Sequence, residues 1–366
     1  MKKEPLIHIT RNLTVSTKKK WIIRLIAIAL GFILCSLVAS FLGSDPITFF
    51  DKLIKGCFVD LKKGGFSKTK VFDLLERTAI LLLIAVALTP AFKMKFWNIG
   101  AEGQIYAGVL VGAIMQKFVG TSMPTFLFFI VTIILCVLAG AIWGVIPAIF
   151  KAYFKTNETL FTLMMNYIMI CIVSVLISKW DPIKASVPIF DSSLYLNSFC
   201  KNIPNLFNLL IVIVVCVAMW FYMTYTKHGY EIAVVGGSEN TARYVGISNK
   251  WIMIRTMLLS GGLCGLVGFL LICGEKSALC TTITQNRGFT GVMVSWLGNL
   301  NVPEMGLYSF LVSIVTKGSR SVSNAESFPN IMTAIFVFTL IACDFFANYK
   351  INFRKKAHKE MKEVTE

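Results

Sequence analysis

Charge is scarce in this chain, and histidine scarcer. Of 366 residues only 15% are Asp, Glu, Lys or Arg, and three are His. A soluble domain carries about a quarter charged residues, so the composition excludes an ordinary globular protein. His8, His228 and His358 all lie outside the long apolar runs, and the ten cysteines form neither a C-x-x-C pair nor a Cys/His cluster. No metal site and no cofactor is therefore expected. A phosphate-cradling G-x-x-x-x-G-K-S/T loop is missing, so the chain is not expected to hydrolyse ATP itself. No nucleophile sits beside a base, which leaves no candidate catalytic residue. A small-residue cleavage site is missing after the first apolar run, so that run is read as a span and not as a signal peptide.

What the chain has instead is length of apolar sequence. Hydrophobic residues make up 56% and the mean hydropathy is +0.71. Runs of roughly 20 apolar residues cross a bilayer as tilted helices. They are read at 21–42, 72–92, 105–120, 124–150, 160–177, 206–225, 251–273, 289–300, 303–316 and 331–349. The fold class is thus all-α, a polytopic membrane bundle of about ten helices, with both termini cytoplasmic. The eighth and ninth runs are short and suit a re-entrant pair. The formal charge of +17 comes from 36 basic against 19 acidic residues. Basic residues flank spans instead of interleaving with exposed aromatics, which fits the positive-inside bias and not nucleic-acid binding. Three regions follow: a basic segment 1–20, a membrane domain 21–349, and a basic tail 350–366. Residues 45–70 misfit, being external by count yet rich in Lys. Their amphipathic pattern predicts a helix lying in the interface.

Small residues pair at four-residue spacing, Gly108 with Gly112, Gly140 with Gly144 and Gly261 with Gly265. That spacing lets helix backbones approach closely. The same reading covers Leu259–Leu263, LSGGL, which mimics an ATPase signature but lies in an apolar run.

Polar residues at membrane depth persist where they face a path or a protein partner. Phe96 to Gln104 reads FWNIGAEGQ, placing Asn98, Glu102 and Gln104 with two glycines between apolar runs. Glu158, Thr162 and Asn166 share one helical face. A substrate path is expected from Asn98, Glu102, Gln104 and Asn166, with Trp97 and Tyr106 as aromatic walls. A hydrogen-bonded plug between helices accounts for the same residues.

Between spans, residues 227–252 read KHGYEIAVVGGSENTARYVGISNKWI. Ser238 is the expected N-cap of a short helix closed by Gly246. This segment resembles the coupling loop of ABC-transporter permeases of the branched-chain amino acid, simple sugar and nucleoside group. The stretch NIGAEGQ resembles the marker of the nucleoside branch. TNETLFTLMMNY at 156–167, LSGGLCGLVG at 259–268 and GFTGVMVSWLG at 288–298 agree with that branch. The chain departs from the pattern at Ala233, where Arg is common, and at Trp296, where a smaller residue is usual.

The resemblance implies an importer subunit in the cytoplasmic membrane, moving nucleosides by alternating access. It implies docking of an ABC ATPase on Gly236, Glu239, Asn240, Ala242, Arg243, Tyr244 and Gly246. A second, different permease chain and an extracellular binding lipoprotein complete the implied set of partners. Simple sugars are the nearest alternative cargo, and an ion-coupled secondary transporter the nearest alternative class.

Overall fold

The structure, a computed structural model, describes residues 7–11, 17–59, 65–120, 122–181, 186–188, 194–196, 205–275, 278–323, 325 and 327–353. Thirteen α-helices are seen among them, and each of the ten apolar runs is a helix. Among the described residues six helices are long and apolar enough to cross a membrane: Trp21–Phe41, Thr125–Phe154, Glu158–Trp180, Leu206–Tyr225, Asn249–Glu275 and Phe328–Phe346.

Two compact units divide the chain. The first comprises Met1–Gly56 and Val315–Glu366. Its α1 (Thr17–Phe41) and α13 (Phe328–Asn348) pack antiparallel. The Cys35 thiol donates to the Met332 carbonyl, and the Phe32 and Phe336 rings lie 5.0 Å apart. The unit is mainly helical, as expected, with one added pair of short strands. Strand β1 (Ile7–Arg11) pairs antiparallel with β4 (Tyr349–Phe353), so two segments expected as basic tails begin as a two-stranded sheet. The backbone N–H and C=O groups of the two segments pair with one another. Residues 354–366 of the expected tail lie outside the described residues. α2 (Pro46–Phe58) is the amphipathic helix expected within 45–70, burying Phe49 and Leu53 and exposing Lys52 and Lys55.

The second unit, Cys57–Ile314, holds the helices between α2 and α13, except for the last five residues of Val302–Ser319. α3 (Lys68–Lys93), α4 (Ala101–Phe118) and α5 (Thr125–Phe154) surround α10 (Asn249–Leu270). α10 is the central helix: 83% of its spanning window is buried, against 33% for α5. The glycine pairs explain how. A Cβ at Gly108 would lie 2.3 Å from the Gly265 carbonyl oxygen, one at Gly140 2.3 Å from that of Gly261, and one at Gly265 2.2 Å from that of Cys136. Backbones therefore touch where any other residue would hold them apart. Ser260 of the LSGGL sequence is fully buried in this seam.

α6 (Glu158–Trp180) starts at Asn157, whose side-chain oxygen accepts from the N–H groups of Thr159 and Leu160 at 3.1 and 3.2 Å. α7 (Leu206–Tyr225) packs on α3. After α10 a π-helical turn (Leu271–Glu275) opens into β3 (Ala278–Cys280), which pairs with β2 (Ser186–Pro188) in a second small sheet. The chain then turns inward to α11 (Arg287–Leu297) and returns through α12 (Val302–Ser319). With 11 residues α11 is about 16 Å long, roughly half a hydrocarbon core.

Candidate functional site

The polar set of residues 98–104 converges on one buried knot. Asn98, Glu102, Gln104 and Asn166 are each at most 2% exposed. Asn166 accepts from the Gly103 N–H at 2.8 Å and donates to the Ile99 carbonyl at 2.9 Å. The Thr162 hydroxyl accepts from the Ile99 N–H at 3.2 Å, so the shared face expected on α6 is real. Asn98 and Gln104 exchange hydrogen bonds at 3.3 and 3.4 Å, and Asn98 donates to Ser260 at 3.4 Å. The glycine-rich turn into α4 thus has its backbone groups satisfied by amides, which is what burial demands.

Glu102 faces the other way. It accepts from the Gly288 N–H at 2.7 Å and from the Thr284 hydroxyl. Gly288 lies in the first turn of α11, so Glu102 caps a half-helix from outside that helix's own sequence. A carboxylate there satisfies orphan N–H groups and meets the positive end of the helix dipole. Tyr106 is 2% exposed, and its hydroxyl donates to the Thr281 carbonyl. Neither Glu102 nor Tyr106 therefore presents a free surface. Of the six residues expected on the path, only Trp97 is exposed, at 46%. Its indole stacks on Trp296 with centroids 4.8 Å apart and planes 11° apart, above buried Phe92.

Sequence reading passed over a second buried cluster. Arg287 makes a bidentate pair with Glu275, one arm at 2.7 Å, and Arg77 lies 3.5 Å from the same carboxylate. Arg77 also donates to Gln285 at 3.3 Å. Glu76, 3% exposed, accepts from Asn205 and Asn208. Asp73, Glu76 and Arg77 all fall at the start of the second apolar run, and charged residues there were the available signal. Paired and hydrogen-bonded charges of this kind tie the turn before α11 to α3 and α7.

The third element is the expected coupling segment. Residues 227–252 are more ordered than a loop: α8 (Lys227–Gly237) runs into α9 (Glu239–Tyr244). Ser238 caps α9, its hydroxyl accepting from the Thr241 N–H at 3.3 Å, and Gly246 follows with φ +77. Ala242 is fully buried, while Glu239, Asn240, Arg243 and Tyr244 are exposed, Tyr244 to 94%. Ala242, Ile232 and Val235 pack against Ala91, Met94 and Phe96. A Cβ at Gly236 would fall 1.9 Å from the Lys93 carbonyl oxygen. The pair α8–α9 is thus seated directly on the turn that leads into the buried knot. Glu231, two residues before Ala233, is held by Arg255 at 2.9 Å.

The family profile described as branched-chain amino acid transport system / permease component matches residues 70–343. The chain belongs to this family. The permease is 27% identical over 330 residues to the guanosine ABC transporter permease of Bacillus subtilis, covering 87% of this chain and 91% of that protein. It is 27% identical over 347 residues to the glucose ABC transporter permease of Haloferax volcanii, covering 89% and 87%. Against the nucleoside ABC transporter permease of Lactococcus lactis it is 26% identical over 330 residues, covering 87% and 88%. It is an ABC permease of the nucleoside and sugar group and a multi-pass membrane protein. The permease is a transport subunit, and its relatives are not themselves enzymes.

Proposed function

We propose that this permease imports nucleosides across the cytoplasmic membrane, driven by a separate ABC ATPase. The observation that carries the reading is the seat of α8–α9 on the 91–96 segment, two residues from Asn98. A push on exposed Glu239, Arg243 and Tyr244 reaches the knot through Phe96, which lies in the same buried cluster as Ala242. ATP binding that favours one of two arrangements would then rock the helices. Two relatives are named for guanosine or nucleosides, which supports that cargo; the glucose permease relative favours a sugar as the second reading. Ten crossings, cytoplasmic termini, a different second permease chain and an extracellular binding lipoprotein belong to the same proposal.

In this reading Asn98, Glu102, Gln104 and Asn166 act on the path by holding its helices. Docking depends on Gly236, Asn240, Ala242 and Gly246 for shape and on Glu239, Arg243 and Tyr244 for contact. Uptake of radiolabelled guanosine by the reconstituted complex tests the whole. ATP-dependent uptake that survives an uncoupler and resists competition by glucose is expected. Uptake that collapses with the ion gradient overturns the ATP-driven reading, and competition by glucose alone overturns the nucleoside cargo.

Arg243→Ala with Tyr244→Ala is expected to lower ATPase stimulation and uptake about tenfold or more, because exposed Arg and Tyr are the usual anchors of an interface. The unfolding midpoint should stay at the wild-type value. Unchanged uptake would remove the coupling role.

A further inference from the structure

The knot of residues 98–104 offers no surface to a solute, yet polar groups do face outward at its level. They lie on α11 and the turn before it. Asn286, Thr290 and Met293 follow helical spacing i, i+4, i+7, and Trp296 continues the same side. Asn286 is exposed, Thr290 half-buried, and Met293 and Trp296 are 43% and 42% exposed. The opposite side of α11 is packed: Gly288 against Glu102, Gly291 against Ile84, and Ser295 bonded to the Ala85 carbonyl at 2.9 Å. Ile84 lies midway along α3, so the packed side of α11 meets the middle of that helix.

The Asn286 amide at that depth cannot be satisfied by lipid, while the Thr290 hydroxyl donates to the Asn286 carbonyl at 3.1 Å and keeps its oxygen free to accept. The stripe carries no charge. Gln285 and Asn286 hold φ values of 54 and 59, a left-handed pair that non-glycine residues rarely adopt. Arg77 fixes the Gln285 side chain, and Arg287 next to Asn286 is clamped on Glu275. Strained backbone held this firmly is a feature of ligand-presenting segments. At the lower end the flat, half-exposed Trp296–Trp97 stack adjoins the turn on which α8–α9 sits.

We propose that the translocation route runs along this face of α11, with the solute passing Asn286, Thr290, Met293 and Trp296. The Asn286 amide exchanges hydrogen bonds with sugar hydroxyls, the Thr290 oxygen accepts one, and the indole offers its face to a planar base. The cargo rests on the nucleoside reading above; the route does not. A neutral, weakly gripping wall is the chemistry a solute needs if it is to leave as readily as it enters.

Thr290→Cys and Met293→Cys, each in the complete reconstituted complex, test the route with a charged methanethiosulfonate reagent read site by site by mass spectrometry. Ile213→Cys, on the exposed apolar side of α7, is the control. Only a thiolate reacts, and it forms in water, so modification at 290 or 293 is expected at least about tenfold faster than at 213. Modification should also block uptake, and guanosine at saturating concentration should slow it. Rates at both positions equal to that at 213, or full modification with uptake unchanged, would overturn the route. Fast modification that blocks uptake of labelled glucose, in a complex that takes up no guanosine, retains the route and removes the nucleoside cargo.

Discussion

Glu102→Ala is expected to cripple the permease, while Glu102→Gln is expected to be mild. The alanine variant strips the acceptor from the Gly288 N–H and the Thr284 hydroxyl, both inside the protein. Each orphaned buried group costs about 1–3 kcal/mol, and the first turn of α11 loses its cap. Glutamine keeps the shape: its carbonyl accepts from Gly288, and its amide donates to a rotated Thr284 hydroxyl. The pair of variants therefore separates two roles. A carboxylate that touches solute or carries a proton loses its function in both variants; one that braces α11 loses it in alanine alone. Thermal unfolding in detergent and ATP-driven uptake, measured side by side, give the answer. Equal loss of uptake in both variants, with unfolding unchanged, would sink the bracing role.

The second large effect is expected at Gly265. Its added Cβ would meet the Cys136 carbonyl oxygen at 2.2 Å and the Gly140 Cα at 3.1 Å, both backbone atoms of α5. Neither can rotate away, so Gly265→Ala must push two helices apart along their seam. Overpacking of a rigid core costs about 1–3 kcal/mol, and a backbone contact belongs at the upper end. In a bilayer the loss is felt fully, because helix association rests on close packing and not on expelling water. Gly237→Ala is the matching control, since nothing lies within 4 Å of its Cβ position. Gly265→Ala is expected to lower the unfolding midpoint and the yield of assembled complex, and Gly237→Ala neither. Equal midpoints for the two would show that α5 and α10 do not meet as described.

Much of this was legible in the sequence, and the reason is local. Apolar runs fix where helices form in a membrane protein, because lipid leaves the backbone no other way to satisfy its hydrogen bonds. All ten runs are helices in consequence. The small-residue spacing of Gly140, Gly261 and Gly265 marked the seam before any contact was known. Ser238, Glu239–Tyr244 and Gly246 declared a cap, a helix and a stop through chemistry confined to nine residues. Asn98, Glu102 and Asn166 stood out as polar groups in apolar surroundings, and burial of all three explains why they were noticeable.

What the sequence alone determined, then, is which segments are helices, where they pack tightest, and where a short capped helix interrupts the polar segment between spans. The tertiary structure decided what each polar residue at depth faces. Glu102 reads equally well as a path residue or a brace until α11, some 185 positions later, delivers Gly288 to it. Trp97 and Trp296 are 199 positions apart and become a pair only when α3 and α11 lie side by side. Periodicity reports the side of a helix on which a residue sits; the neighbour on that side is chosen by the whole bundle.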